Sequence, residues 1–159
     1  MSDTDIQQLI EDLGSKAGSA RHSARRDLVK MGSGAVDALV AALSSPNHYA
    51  RWGAAKALGQ IKDPASAPAL VAALEDDESD VRWLAAIGVH RLGNVGLRAL
   101  CEVLVAGDFE LHHHHAAHHV LHDFVDAGRD DVAPVLAAME TSSQKTDVPV
   151  AAAALLKTL

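Results

Sequence analysis

Two stretches of the sequence decide the fold: ARWGAAKAL at residues 50–58 and VRWLAAIGV at residues 81–89. They align without gaps at an offset of 31 residues, so each has an Arg, a Trp and an Ala at the same place. Looser copies of this Arg-Trp element cover residues 20–24, 112–120 and 148–156, which makes five copies. A fixed period of this length is typical of stacked repeat proteins.

A second element, here called the Leu-Val element, lies between these copies. It reads ALVAAL at residues 38–43 and 69–74, ALCEVL at residues 99–104, and has weaker copies at 6–13 and 134–139. Apolar residues in both elements recur every three or four positions, which is the period of an amphipathic helix. The sequence therefore predicts ten short helices in five hairpins. They are expected near residues 5–13, 18–31, 34–44, 47–61, 64–75, 78–92, 95–106, 109–126, 130–141 and 147–158.

Signals for helix ends agree with this division. Asp63 and Pro64 are typical of an N-cap followed by a first-turn proline. Four glycines stand where helices are expected to stop, namely Gly32, Gly93, Gly107 and Gly128. Neither helix of a hairpin can bury its apolar face alone, so the hairpins must stack on one another. The fold class predicted is all-α, a right-handed α-solenoid of about five hairpins in a single domain over residues 1–159.

The small side chains of the Arg-Trp element indicate close helix packing. Alanine pairs recur at residues 54–55, 85–86, 116–117 and 152–153. Aromatic residues make up only 3% of the chain, so a tightly spaced core of small residues is expected.

Composition excludes several classes of protein. A net charge of −7 argues against a general nucleic-acid binder, because phosphate neutralisation needs a surplus of Lys and Arg. The single cysteine, Cys101, lies within an apolar helix and is expected to be a buried packing residue. No apolar run is long enough to span a bilayer, and the polar first residues are unlike a signal peptide, so we expect a cytoplasmic protein with no membrane contact.

The repeats resemble a known family. The pattern Val-Arg-Trp-x-Ala-Ala followed by Leu-Gly and Asp-Pro, with Pro-Ala-Leu-Val-x-Ala-Leu in the other helix, resembles the HEAT-like repeats of phycobilisome lyases and bacterial scaffold proteins. The resemblance covers residues 20–106 well and implies that Arg21, Arg51 and Arg82 pair with an acidic group near the turn, for which Asp63 is a candidate. It also implies that the outward face of the Arg-Trp helices is the concave ligand surface.

The helical frame predicts which side chains of the Arg-Trp element face a partner. Its first position, its alanines and its ninth position are needed for the core, so the third, fourth, seventh and eleventh positions are expected to project outward. Both tryptophans of the chain occupy the third position, and tryptophan is enriched among interface hot spots. The predicted partner-binding residues are His22, Arg26, Tyr49, Trp52, Lys56, Trp83, Leu84, Ile87, Arg91, His114, His115 and His118.

Seven of the ten histidines lie between residues 112 and 122. On a helix His114, His118 and His122 stack one turn apart, as do His115 and His119, and imidazoles at this spacing can chelate Zn, Ni or Cu. His112 and His113 are expected to face inward. Adventitious metal capture stays open, because overlapping pairs define no unique coordination set.

The sequence contains no recognisable catalytic motif, so no catalytic residue and no firm cofactor are predicted. It favours a non-catalytic scaffold that binds a protein or peptide. Two alternatives remain, a metal-binding or metal-dependent protein centred on the histidines, and a tetrapyrrole lyase or chaperone-like protein, which only the family resemblance implies. A homodimer through the C-terminal repeat also remains open.

Overall fold

The protein, in a computed structural model, is described at residues 3–107, 114–141 and 143–159, with the backbone alone at residues 3, 4 and 114. Ten α-helices occur in this part of the chain. They are α1 Asp3–Leu13, α2 Gly18–Met31, α3 Val36–Ala42, α4 His48–Ile61, α5 Ala67–Ala72, α6 Ser79–Arg91, α7 Asn94–Ala106, α8 His114–Asp126, α9 Ala133–Met139 and α10 Gln144–Leu156. Short 3-10 turns flank α3, α5 and α9. The all-α solenoid predicted from the repeats is confirmed.

The helices form two layers that follow the two sequence elements. In the Arg-Trp layer α2 packs on α4, α4 on α6 and α6 on α8. In the Leu-Val layer α1 packs on α3, α3 on the turn Pro64–Ser66 that leads into α5, and α5 on α7. Each hairpin joins the layers, so the core is a continuous strip between them.

Small residues bring neighbouring Arg-Trp helices close together, as predicted. Ala54, Ala55 and Ala85 are fully buried. Where α4 crosses α6, a Cβ added to Gly59 would lie 3.2 Å from the Cα of Gly88, so a side chain there would press these two backbones apart by a few tenths of an ångström.

The predicted end signals at Asp63 and at the four glycines have the expected local geometry. The Asp63 carboxylate accepts a hydrogen bond from the backbone N–H of Ala65 at 2.9 Å, with Pro64 in the first turn. All four predicted glycines have a positive φ, for example 60° at Gly32 and 72° at Gly107, which costs glycine little and other residues more.

The last helix departs from the repeat. The fifth Arg-Trp copy was expected to extend the layer beyond α8, but α10 packs mainly on α7 and α9 and so continues the Leu-Val layer. Pro149 stands inside α10, where the first three copies have Arg, and it removes a backbone hydrogen bond from the helix. Val150 on this helix is 71% exposed, and the dimer through the C-terminal repeat stays a prediction.

Candidate functional site

Trp83 is the most exposed aromatic side chain in the described part of the Arg-Trp layer. It lies on α6 and is 53% exposed. Its indole stacks on the imidazole of His119 from α8, with ring centroids 4.7 Å apart and planes inclined by 23°. Because both rings are carried by helices, the indole is held in place while one face remains open to solvent.

A groove of about 390 Å³ lies beside this ring pair, between α6 and α8. Its lining is Ser79, Arg82, Trp83, Ala86, His115, Ala116 and His119. Ala86 and Ala116 are buried, and small residues at these positions leave room for an incoming side chain. The groove therefore combines an aromatic wall, a small-residue floor and polar groups at its edge, which suits an apolar anchor.

Trp52, at the same repeat position on α4, is partly buried under cations. The Lys56 ammonium lies 4.6 Å from the centre of the indole ring, and the Arg25 guanidinium from α2 lies 5.6 Å from it. Arg25 also approaches the Nδ1 atom of His22 at 3.1 Å. In the neighbouring turn the Arg21 guanidinium covers the ring of Tyr49 at 4.2 Å. The α2–α4 end of the layer is thus a patch of alternating cations and aromatic rings.

The remaining predicted contact residues are more varied. Arg26 and Arg91 are exposed, while Leu84 and Ile87 are partly buried. The prediction that the fourth position always projects outward is wrong at Gly53, which is buried. A Cβ there would lie 2.9 Å from a Leu13 methyl group, so α1 packs directly on this side of α4. Arg25, Ser79 and Arg82 were not predicted, although Arg25 follows Arg21 by one helical turn and so shares its face of α2.

The histidines of α8 point in different directions. His119 faces Trp83, His115 lines the groove, and His118 lies 3.3 Å from the carboxylate of Glu140, which follows α9. His122 contacts Asp126 at 3.0 Å. His112 and His113 lie outside the described residues, as does the side chain of His114.

The metal site predicted from the histidines of α8 stays a prediction. His118 and His122 lie one helical turn apart, with ring centroids separated by 6.3 Å. Among the side chains that the structure describes, however, no three donors of α8 converge within 4.8 Å of one another.

A different group of donors does converge. One ligand atom each from His48, Glu78 and Asp80 lies within 4.8 Å of the others, and the His48 Nε2 atom is 3.1 Å from Asp80 Oδ2. An imidazole and two carboxylates can hold a divalent cation. Acidic residues are also favourable at the positive N-terminus of α6, which explains Glu78 and Asp80 without an ion. The sequence signal was the acidic run at residues 75–80, about one repeat after His48.

The predicted partner of the repeated arginine is wrong. Arg51 pairs with Asp76, through Nε to Oδ2 at 2.7 Å and Nη2 to Oδ1 at 3.0 Å, and not with Asp63. Arg82 donates to the backbone carbonyl oxygens of Asp76 and Asp77, and Arg21 to those of Ser15 and Lys16. Asp63 instead caps its own turn and accepts from the hydroxyl of Ser33. The repeated arginine therefore ties the preceding turn to its helix and is occupied within the fold.

Cys101 is fully buried, as predicted, and burial raises the pKa of its thiol to about 12. At pH 8 roughly one molecule in ten thousand would carry a thiolate, the reactive form. We expect no reaction with Ellman's reagent in the native protein and one thiol per chain after unfolding in guanidinium chloride. Fast labelling of native protein would contradict this packing.

Comparisons with known proteins agree with this architecture. The family model for HEAT repeats matches residues 6–90. Among solved structures, the complex of CpcE and CpcF of phycocyanin lyase from Nostoc sp. PCC7120 matches with a TM-score of 0.64 and 22% identity, over 97% of this chain and 99% of that chain. An engineered protein matches with a TM-score of 0.49 and 21% identity, over 96% of this chain and 77% of that one. No curated protein matches the sequence.

At these identities the solved structures show the fold alone. Within the described residues, no helix is both long and apolar enough to cross a bilayer.

Proposed function

Because the chain belongs to the HEAT repeat family, we propose that it is a non-catalytic scaffold that binds a protein or peptide on its Arg-Trp layer. The observation that carries this proposal is Trp83, 53% exposed and stacked on His119 at the edge of the α6–α8 groove. The similar lyase structure is itself a complex of two subunits, which supports a protein as the partner.

The energetics favour this part of the layer. A half-exposed indole offers a large apolar area that a partner can remove from water, at about 25 cal/mol per Å². Its rigid support means that little side-chain entropy is lost on binding. A groove beside it can accept one apolar side chain of the partner, which is the usual form of an interface hot spot.

Replacing Trp83 with Ala is expected to weaken peptide binding about tenfold or more. Peptides are first selected from a random phage-displayed library against the wild-type protein, and their dissociation constants are then measured by fluorescence anisotropy. The folded protein should tolerate the change, at a cost of about 1 kcal/mol, because half of the indole is already in water.

The matched control is Val95→Ala, which shortens an exposed apolar side chain, 41% exposed, on α7 in the other layer. It should leave peptide affinity unchanged. A Trp52→Phe variant makes Trp83 the single reporter, and its emission should shift on binding. If the selected peptides bind Trp83→Ala as tightly as the wild type, the proposed surface is wrong.

A tetrapyrrole lyase or chaperone-like role is the second candidate. The observation in its favour is that a phycocyanin lyase complex shares the fold and that a planar ligand can stack on the open face of Trp83. The Trp52→Phe variant titrated with biliverdin distinguishes the two candidates. Saturable quenching of Trp83 in this variant, together with a change in biliverdin absorption that Trp83→Ala abolishes, would favour the tetrapyrrole role over the peptide scaffold.

A further inference from the structure

The two layers of the solenoid carry opposite charge. Helices α2, α4, α6 and α8 contain eight Lys and Arg residues against four carboxylates. Helices α1, α3, α5, α7, α9 and α10 contain two Lys and Arg residues against seven carboxylates. This separation occurs in a chain whose net charge is −7, so the positive layer is a local feature that opposes the overall charge.

Only some of these cations are available to a partner. Arg51 is held by Asp76, while Arg21 and Arg82 are tied to backbone carbonyl oxygens. Arg25 and Lys56 are different. Neither has a carboxylate within salt-bridge distance among the residues that the structure describes, and both lie over the Trp52 ring.

These two cations and the groove lie on neighbouring helices of the Arg-Trp layer. Lys56 and Trp52 are on α4, which packs directly on α6, and α6 carries Trp83 and one wall of the groove. A chain lying across the layer can therefore place an apolar side chain beside Trp83 and negative groups beside Arg25 and Lys56. Lys56 already lies over the Trp52 indole. A carboxylate of the partner would add a charge-assisted hydrogen bond to this cation–π contact, and the lysine would not need to move.

We infer that the partner bound on the Arg-Trp layer presents an acidic peptide segment with one apolar anchor, its carboxylates at Arg25 and Lys56 and its anchor in the α6–α8 groove. This inference rests on the proposed scaffold function and names the chemistry of its ligand. A peptide fits better than a nucleic acid, because the groove is floored by Ala86 and Ala116 and so suits an apolar side chain.

Four synthetic peptides of equal length test this inference. Three share one central Leu-Phe anchor flanked by acidic, uncharged or basic residues, and the fourth is acidic but lacks the anchor. The acidic anchored peptide should bind about tenfold more tightly than the uncharged one at low salt, and this difference should shrink as salt is added.

Lys56→Glu should remove the preference for the acidic peptide and leave the affinity of the uncharged anchored peptide within about twofold. Lys56→Gln should reduce the preference for the acidic peptide by about half as much, on a logarithmic scale of affinity. Thermal melts followed by circular dichroism check that both variants fold. Lys145→Glu makes the same charge change on α10, away from this surface, and should leave all four affinities unchanged.

The outcomes separate the two proposals. If no anchored peptide depends on Trp83, the scaffold function itself is wrong. If the uncharged and basic peptides bind in a Trp83-dependent way as tightly as the acidic one, the surface stands and its acidic specificity is overturned. If a single-stranded oligonucleotide displaces the acidic peptide and binds the wild-type protein more tightly than the peptide does, the cations are assigned to nucleic acid and the inference is overturned. If the wild-type protein self-associates in sedimentation and Lys56→Glu abolishes this, the cations are assigned to the acidic layer of a second copy. This result would also overturn the inference.

Discussion

Replacing Asp76 with Ala is expected to destabilise the protein by about 3 kcal/mol or more. The Asp76 carboxylate makes a two-point contact with Arg51, and the two side chains are only 7% and 15% exposed. The same carboxylate accepts the backbone N–H of Glu78 at 2.9 Å. Without it, the largely buried Arg51 guanidinium keeps the carbonyl oxygens of Ser45 and Pro46 but loses its paired carboxylate. Urea unfolding followed by circular dichroism measures the loss.

Asp131→Ala provides the matched control. Asp131 also forms a two-point contact with an arginine, Arg129, at 2.8 Å for both bonds, but here the side chains are 43% and 29% exposed. Water can solvate the remaining Arg129, so the expected loss is below about 1 kcal/mol. If Asp76→Ala and Asp131→Ala lower the free energy of unfolding equally, burial does not determine how much the Arg51–Asp76 pair stabilises the protein.

The same pair predicts a dependence of stability on pH. Burial alone would raise the pKa of Asp76, but the hydrogen bonds from Arg51 and from the Glu78 backbone outweigh it, and the pKa is lowered. An Asp in the unfolded chain has a pKa of about 4. The stabilisation from ionised Asp76 is therefore complete above about pH 4 and is lost as the pH falls through the lower folded pKa. An Asp76→Asn variant should show a smaller loss of stability between about pH 5 and pH 2 than the wild type.

Features that depend on local sequence were predictable. The register of 31 residues, the buried alanines and the Asp63 cap each follow from neighbouring residues on one helix or one turn. In a solenoid the same local unit recurs with the same neighbours, so one correctly read repeat predicts most of the others.

Features that depend on distances between repeats were not predictable in this way. Arg51 lies in the first turn of α4 and Asp63 follows its last turn, about 18 Å further along the helix, so helix length excludes Asp63. Only the packed backbone shows that Asp76, from the turn before α6, reaches Arg51. Trp83 is at the third position of its copy of the Arg-Trp element, and His119 is at the eighth position of the next copy. The repeat aligns only equal positions, so it did not predict that these two rings stack. The last helix packs on α7 and α9 although its apolar pattern matches the Arg-Trp element, and this placement does not follow from the pattern of one repeat.

Gly96→Ala is expected to destabilise the protein by about 3 kcal/mol, although alanine is the better helix former by about 1 kcal/mol. Gly96 lies in the first turn of α7, where that helix meets α6. A Cβ there would lie 2.1 Å from the carbonyl oxygen of Val89 and 2.9 Å from its carbonyl carbon. These atoms belong to the α6 backbone, so relief of the clash requires the two helices to separate and Val89, which is fully buried, to shift.

Gly34→Ala tests whether this loss comes from the close approach of α6 and α7. Gly34 lies in the 3-10 turn before α3, has no positive φ, and a Cβ there would meet nothing within 4 Å. We expect its melting temperature to equal or slightly exceed that of the wild type, because the unfolded chain becomes less flexible. A Gly96→Ala protein that melts as high as Gly34→Ala would show that the corner between α6 and α7 can open at little cost. The close packing of the third hairpin on the fourth would then contribute little to the stability of the solenoid.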